Sequence, residues 1–216
     1  MNRVLVTGFG PYEDEADNPS GEIARRIDGA RIGGYDVIGR VLPVDTEAVR
    51  NVLEEAIDAT RPKVVLVTGV APGRAAPALE RVAVNVRDFP IPDIAGRTPV
   101  DRPVVGDGPD AYLTTLPVKA VVEAWRAAGI PGYVSNTAGT YLCNQTFYLA
   151  RHLSDHTSAR AGMLHIPALP TRATEMGSPP PPSMSLDALE QAVRLAVSTS
   201  VLHVGPDLRV GGGAIS

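Results

Sequence analysis

Short runs of valine, leucine and isoleucine recur along the chain, and turn-forming residues bound each run. Runs of this length and composition predict buried strands. We predict strands at Arg3 to Thr7, Tyr35 to Leu42, Lys63 to Thr68, Tyr133 to Asn136 and Ala161 to Ile166. A further segment, Glu80 to Phe89, alternates apolar and polar residues, which predicts a half-exposed strand in a hairpin at the sheet edge.

Helical patterns lie between these strands. Apolar residues at helical spacing predict helices through Val49 to Ile57, Val118 to Trp125, Phe147 to Leu153 and Leu186 to Val197. Strands and helices that alternate favour a mainly parallel sheet with helices on both faces, because parallel neighbours need crossover connections. The predicted fold class is therefore α/β. At 216 residues, we expect a single domain over residues 1–216.

Composition and charge exclude several classes of function. The formal net charge is −4 and no stretch concentrates Lys and Arg, which argues against a nucleic-acid partner. No run reaches the roughly 18 apolar residues of a membrane-spanning helix, and no signal-peptide pattern follows Met1. The single cysteine cannot form an internal disulfide and leaves no thiolate cluster for a metal. We therefore expect a soluble, cytoplasmic protein.

That cysteine, Cys143, lies in the segment S-N-T-A-G-T-Y-L-C-N, just before a predicted helix. The positive end of a helix dipole and its free N–H groups favour a thiolate, and the same N–H groups can bind the oxyanion of a tetrahedral intermediate. A lone cysteine is also often a small buried hydrophobe. Both interpretations of Cys143 stay open on position alone.

A thiolate nucleophile needs a partner that protonates the leaving amine, and histidine is the usual choice. His165 ends an apolar run and should emerge at the carboxyl edge of the sheet, whereas His152, His156 and His203 fall at more peripheral positions. The alternative is a buried histidine whose ring is satisfied by backbone groups. Since strand ends and helix starts meet at one edge of a parallel sheet, we expect Cys143 and His165 to converge.

A third group would normally orient the imidazole of a nucleophile–base pair. The sequence pattern alone leaves four carboxylates open for this role: Glu80, Asp88, Asp93 and Asp101.

Several segments together resemble the type I pyroglutamyl peptidases, also called pyrrolidone-carboxylate peptidases. They are V-L-V-T-G-F-G-P-Y near the start, N-P-S from Asn18, E-R-V-A-V-N from Glu80, I-P-D from Ile91, D-G-P-D-A-Y from Asp107, S-N-T-A-G-T-Y-L-C-N from Ser135 and H-I-P-A-L-P from His165. Their shared order over nearly the whole chain makes the resemblance specific. It implies a three-layer α/β/α sandwich of the phosphorylase/hydrolase kind.

The resemblance also implies an activity and the residues that perform it. It implies a cysteine exopeptidase that releases pyroglutamate from the N-terminus of peptides through a thioester. Cys143 would be the nucleophile, His165 the general acid and base, and Glu80 the group that orients His165. It further implies a cytoplasmic homotetramer that needs neither a cofactor nor a metal.

By the same resemblance, five residues would bind the substrate. Phe9 and Tyr12 would lie against the lactam ring, and Ile91 and Leu142 would complete the apolar walls, although ordinary core packing explains such residues equally well. Asn18 would either donate a hydrogen bond to the substrate or cap the helix that starts near Pro19.

Two rival hypotheses come from other classes. The T-G-F-G-P loop could bind a phosphate at a helix start, but it lacks the third glycine of a dinucleotide fingerprint. A non-catalytic binding module could retain the pocket alone. It would be expected to lack Cys143, His165 or Glu80, and all three are present.

Overall fold

A central sheet of seven strands organises the computed structural model, which describes residues 2–12 and 18–213. In spatial order the strands are β2 (Arg31–Ile32), β3 (Tyr35–Leu42), β1 (Arg3–Phe9), β4 (Val64–Val70), β9 (Arg160–Ile166), β5 (Ala78–Glu80) and β8 (Tyr133–Ser135). Neighbouring strands are parallel except in the β2–β3 and β5–β9 pairs. A separate antiparallel pair consists of β6 (Val82–Val84) and β7 (Ala111–Leu113).

Helices cover both faces of the central sheet. They are α1 (Pro19–Ile27), α2 (Ala48–Thr60), α3 (Val118–Ala127), α4 (Leu142–Ser154), α5 (Pro170–Glu175) and α6 (Leu186–Leu202). Buried side chains of α1, α3 and α6 form one apolar core, and those of α2 and α4 form a second. Alternate residues of each strand enter opposite cores, since Val4 and Val6 join the first while Leu5 joins the second. The predicted α/β class with a mainly parallel sheet is confirmed.

The five predicted buried strands all occur, with bounds that shift by at most two residues. The prediction for Glu80 to Phe89 is wrong in two respects. Glu80 ends β5, which lies inside the central sheet between β9 and β8, and the chain then leaves that sheet at Arg81 to form β6. In β6, Ala83 is the buried residue while the flanking valines are half-buried, so the alternation is shifted by one position. The predicted alternation assigned the valines to the buried face. That assignment was wrong because β6 packs against α4, a partner that sequence periodicity does not reveal.

Polar side chains and glycine shape the ends of two helices. The Oδ1 atom of Asp45 accepts the N–H groups of Glu47 and Ala48, both at 2.9 Å, at the start of α2. Gly129 follows α3 with a φ of +72°, the left-handed conformation expected after a helix end. On the face of the sheet covered by α1, α3 and α6, the indole Nε1 of Trp125 donates to the Ala192 carbonyl at 2.9 Å. This hydrogen bond joins α3 to α6.

Candidate active site

His165 lies near the carboxyl end of β9 and faces the layer of α2 and α4. Its neighbours two and four positions earlier, Met163 and Ala161, belong to the core on that side, and strand side chains alternate. The β4–β9 register pairs His165 with Gly69. His165 is 4% exposed, so its imidazole is nearly removed from water.

Cys143 occupies the first turn of α4, as predicted, one residue after Leu142 begins the helix. N–H groups in a first helical turn have no intrahelical acceptor, so they remain available to bind an anion. The sulfur packs closely over β4, since a Cβ atom built on Gly69 would lie only 2.8 Å from Sγ. The missing side chain at Gly69 therefore makes room for the thiol next to His165.

Cys143 and His165 converge as expected, but the predicted reason was incomplete. Strand β8, which precedes α4, is parallel to β5, and β5 is antiparallel to β9. The end of β8 therefore does not point to the edge where β9 ends. The loop of residues 136–141 instead carries the chain back to that edge, so that α4 starts beside His165.

Glu80 is the carboxylate that contacts His165. Its Oε1 atom lies 2.7 Å from Nδ1 of His165, and the carboxylate is fully buried. The antiparallel β5–β9 register places Glu80 opposite Met163, two residues from His165 on the same face of the sheet. With Glu80 at Nδ1, the other ring nitrogen, Nε2, is left to interact with Cys143, and the interaction with Cys143 contributes to the raised pKa of His165.

The electrostatics of this cluster favour a protonated imidazole. Burial alone would lower the pKa of His165, but the charge of Cys143, the hydrogen bonds to Cys143 and Glu80, and the charge of Glu80 outweigh burial and raise it to about 9. A protonated imidazole beside a sulfur and a carboxylate can stabilise a thiolate and deliver a proton to a leaving amine.

The three other carboxylates that the sequence left open do not reach His165. Asp88 and Asp101 are exposed. Asp93 is buried, but its oxygens accept the N–H groups of Thr46, Ala95 and Arg97 at 2.9 Å each, in a tight loop. Burial alone would raise the pKa of Asp93, but these N–H groups hold it below its usual value. Asp93 therefore shapes a loop beside the site.

An apolar cleft of about 320 Å³ opens beside the Cys143 sulfur. All five predicted binding residues line it, together with residues that the sequence reasoning did not select. The predicted residues are Phe9, Tyr12, Asn18, Ile91 and Leu142, and the additional ones are Val44, Val70, Pro72, Tyr141, Arg172 and Met176. The additional residues come from four separate segments of the chain, so only the folded structure brings them together.

One carbonyl oxygen joins three walls of this cleft. The hydroxyl groups of Tyr12 and Tyr141 both donate to the carbonyl oxygen of Pro92, at 2.6 and 3.0 Å. The Tyr141 ring also packs against Phe89, with ring centroids 4.5 Å apart. The loop after β1, the segment before α4 and the loop that contains Ile91 are thereby fixed relative to one another.

Asn18 caps α1, which was one of its two predicted roles. Its Oδ1 atom accepts the N–H of Ser20 at 3.0 Å and the Ser20 hydroxyl at 2.7 Å. The end of β1 packs tightly against α1 here, because a Cβ atom on Gly8 would lie 2.0 Å from the Ser20 carbonyl oxygen. Close backbone packing of β1 against α1 therefore accounts for this glycine without an anion.

The described residues show neither a metal-binding cluster nor a membrane-spanning helix. Within residues 2–12 and 18–213, His, Cys, Asp and Glu side chains form no group of three that could hold a metal ion. In the same residues, no helix combines the length and apolar character that crossing a membrane requires.

Comparison with known proteins identifies the family. The model of the pyroglutamyl peptidase family matches residues 2–203. The chain belongs to this family. It is 47% identical to pyrrolidone-carboxylate peptidase 1 of Ralstonia nicotianae over 218 residues, which cover 100% of both chains. It is 45% identical to the pyrrolidone-carboxylate peptidase of Cupriavidus taiwanensis, again over 100% of each.

Solved structures agree with this assignment. The pyrrolidone carboxyl peptidase of Thermococcus litoralis superimposes with a TM-score of 0.94 at 36% identity, covering 98% of this chain and 100% of the other. A mutant enzyme from Pyrococcus furiosus gives 0.89 at 39% identity, over 92% and 98% of the two chains. The predicted membership of the pyroglutamyl peptidase family, a family of peptidases and hence of hydrolases, is confirmed.

Proposed function

We propose that this chain removes N-terminal pyroglutamate from peptides, with Cys143 as the nucleophile, His165 as the general acid and base, and Glu80 as the group that orients His165. One observation carries the proposal: His165 is shared between Glu80 and Cys143, and Cys143 lies in the wall of an apolar cleft. The family of the chain supplies the substrate class.

The composition of the cleft supports a lactam substrate. A pyroglutamyl group has no free N-terminal ammonium, so its site needs an apolar slot and a few hydrogen bonds, but no carboxylate. Among the described residues that line the cleft, none is acidic. Phe9, which is 4% exposed, and Leu142, which is 1% exposed, supply rigid apolar surface, while Ile91 is 42% exposed at the rim.

The proposed reaction is an acyl transfer in two steps. The Cys143 thiolate attacks the pyroglutamyl carbonyl carbon, and N–H groups of the first turn of α4 stabilise the oxyanion. The C–N bond breaks as His165 gives its proton to the departing amine, which leaves a pyroglutamyl thioester on Cys143. Water then loses a proton to His165 and attacks the thioester, so that pyroglutamate and the starting cysteine are released.

We extend the proposal to the assembly and location of the enzyme. The family resemblance supports a homotetramer, which light scattering on the purified protein would test by mass. The single cysteine, which is free, suits a reducing compartment and supports a cytoplasmic location. Cell fractionation would test the location.

The decisive experiment compares chromophore release from a pyroglutamyl amide by the purified protein and by its Cys143→Ala variant. Amides of glutamine and proline, which carry a free amine, serve as substrate controls. We expect turnover of the lactam alone and no turnover by Cys143→Ala. Folded, reduced protein that releases no chromophore would overturn the proposal and favour a non-catalytic binding module.

A further inference from the structure

Arg74 contacts the same carboxylate oxygen that orients His165. Its Nη1 atom lies 2.8 Å from Oε1 of Glu80, and Oε1 is also the acceptor for His165 Nδ1. Arg74 lies in the loop between β4 and β5, and its side chain is 21% exposed. The fully buried carboxylate of Glu80 therefore meets both groups at one oxygen: the imidazole of His165 by a hydrogen bond, and the guanidinium of Arg74 by an ion pair without hydrogen-bond geometry. Its other oxygen, Oε2, is buried and accepts no hydrogen bond from the described residues.

Arg74 also contacts the loop that leads to the nucleophile. Its Nη2 atom donates to the carbonyl oxygen of Thr137 at 3.2 Å, within the loop of residues 136–141. The guanidinium of Arg74 thus contacts both Glu80 and the loop that precedes Cys143. Arg74 is not among the described residues that line the cleft.

We propose that Arg74 is a positioning residue whose charge allows Glu80, His165 and Cys143 to hold the thiolate–imidazolium pair in a buried site. The inference rests on the proposed function. With that pair formed, Arg74 and His165 carry one positive charge each, and Glu80 and Cys143 one negative charge each, so the cluster is neutral. Buried charge is costly unless it is balanced. Without Arg74 the same state would carry one uncompensated negative charge.

The cluster would then bind a proton more readily. If the proton resided on the sulfur, the thiolate would be lost directly. If it resided on Glu80, His165 would lose the carboxylate that stabilises its charge, and the thiolate would lose its partner. In either case the thiolate forms only at higher pH.

Other charged or titratable groups face Cys143 across the cleft. They are Tyr12 and Tyr141 on one side and Arg172 of α5 on another. All three remain in place when Arg74 is replaced, so a change in the pH dependence of the thiol would report the loss of Arg74.

The experiment follows the rate at which iodoacetamide alkylates the reduced protein as a function of pH. Cys143 is the only cysteine, so every modified molecule reports this site. The variants are Arg74→Gln and Arg74→Met, which remove the charge, and Arg74→Lys, which retains it. Arg31→Gln is the matched control, because Arg31 pairs with Asp36 on the exposed surface. Circular dichroism and thermal unfolding establish that each variant is folded.

We expect the pH midpoint of alkylation to rise by about one unit in Arg74→Gln and Arg74→Met, the lower end of the shift typical of a lost charge partner, because Arg74 is partly exposed. Arg74→Lys should restore most of the midpoint and Arg31→Gln should not change it. With the pyroglutamyl amide, kcat should fall by roughly tenfold or more while KM stays unchanged, since general acid–base catalysis contributes about 10²–10⁴-fold.

A midpoint unchanged from wild type in folded Arg74→Gln or Arg74→Met would overturn the role of Arg74. An equal shift in Arg31→Gln would also overturn it, because the effect would then reflect net charge. Alkylation needs no peptide substrate. Failure of the pyroglutamyl assay in the wild-type protein would therefore refute the proposed function separately, without deciding the role of Arg74.

Discussion

Gly69→Ala tests whether the close approach of Cys143 to the sheet matters for the proposed catalysis. The added Cβ atom would lie 2.8 Å from the Cys143 sulfur and 3.0 Å from Cε of Met163. Optimal contacts between carbon atoms are about 3.5–4.0 Å, so the sulfur would have to move by roughly 0.7 Å or more. Met163 can adjust its flexible end, whereas Cys143 is fixed on the first turn of α4.

The size of the effect follows from that displacement. A misplacement of about 1 Å at a reacting group can cost about 10²-fold in rate, so we expect kcat to fall by roughly 10- to 100-fold. In free-energy terms the loss of stability should be of similar size or smaller, since a 10- to 100-fold loss of rate corresponds to about 1.4–2.7 kcal/mol. Overpacking a core costs about 1–3 kcal/mol, and replacing glycine by alanine returns about 0.4–1 kcal/mol through the unfolded chain.

The assay combines turnover of the pyroglutamyl amide with urea unfolding of the same samples. Gly106→Ala is the matched control, because a Cβ atom at Gly106 would meet nothing within 4 Å. It should leave kcat and stability unchanged. Full kcat in folded Gly69→Ala would refute the argument that the missing side chain makes room for the nucleophile.

Three further predictions concern the surroundings of the site. The raised pKa of His165, about 9, predicts that kcat/KM falls as pH rises through that value, because the leaving amine then lacks its proton donor. Glu80→Gln removes a charge that raises this pKa, so the alkaline limb should move to lower pH; a limb that stays or moves upward would contradict the assignment. Tyr141→Phe removes one of the two hydroxyl groups that donate to the Pro92 carbonyl oxygen. We expect KM for the pyroglutamyl amide to rise and the free energy of unfolding to fall by about 1 kcal/mol. An unchanged KM would contradict this prediction. The pKa of Asp93 is lowered in the folded protein, so its ionised form stabilises the fold above the ordinary pKa of the group, and this stability is lost as pH falls through the folded pKa. In urea unfolding at neutral pH, Asp93→Asn should therefore be less stable than wild type. The difference in stability between the two proteins should shrink on acidification.

The buried strands were predictable because their composition and their environment agree. Each core strand is covered on both faces by helices, so a continuous apolar run such as Val64 to Val67 is what that environment requires. The position of His165 at a strand end and that of Cys143 at a helix start could also be predicted from the sequence. Both are local features that follow from periodicity and turn residues.

The direction of short strands was not predictable in this way. β5 has three residues and runs antiparallel to β9, and that pairing is what brings Glu80 beside His165. A three-residue strand has no periodicity to read, and the sequence left four carboxylates open. The resemblance to a family selected Glu80, and the observed 2.7 Å contact gives that choice a physical basis.

Two groups near the site also carried no local signal. Tyr141 forms part of the cleft wall because its hydroxyl reaches Pro92, 49 residues earlier in the chain. Arg74 is an ordinary loop arginine in the sequence, and only the long-range contact with Glu80 distinguishes it. Contacts between distant segments decide both roles, so local pattern cannot reveal them.

The solitary cysteine has a consequence for oxidative stress. The thiolate of the proposed mechanism is the form of cysteine that peroxides oxidise to a sulfenic acid. Many redox-sensitive proteins protect that product with a disulfide to a second, resolving cysteine, but this chain contains one cysteine only. Repair of oxidised Cys143 must therefore come from a thiol outside the chain, and recovery of activity after oxidation depends on the reducing capacity of its surroundings.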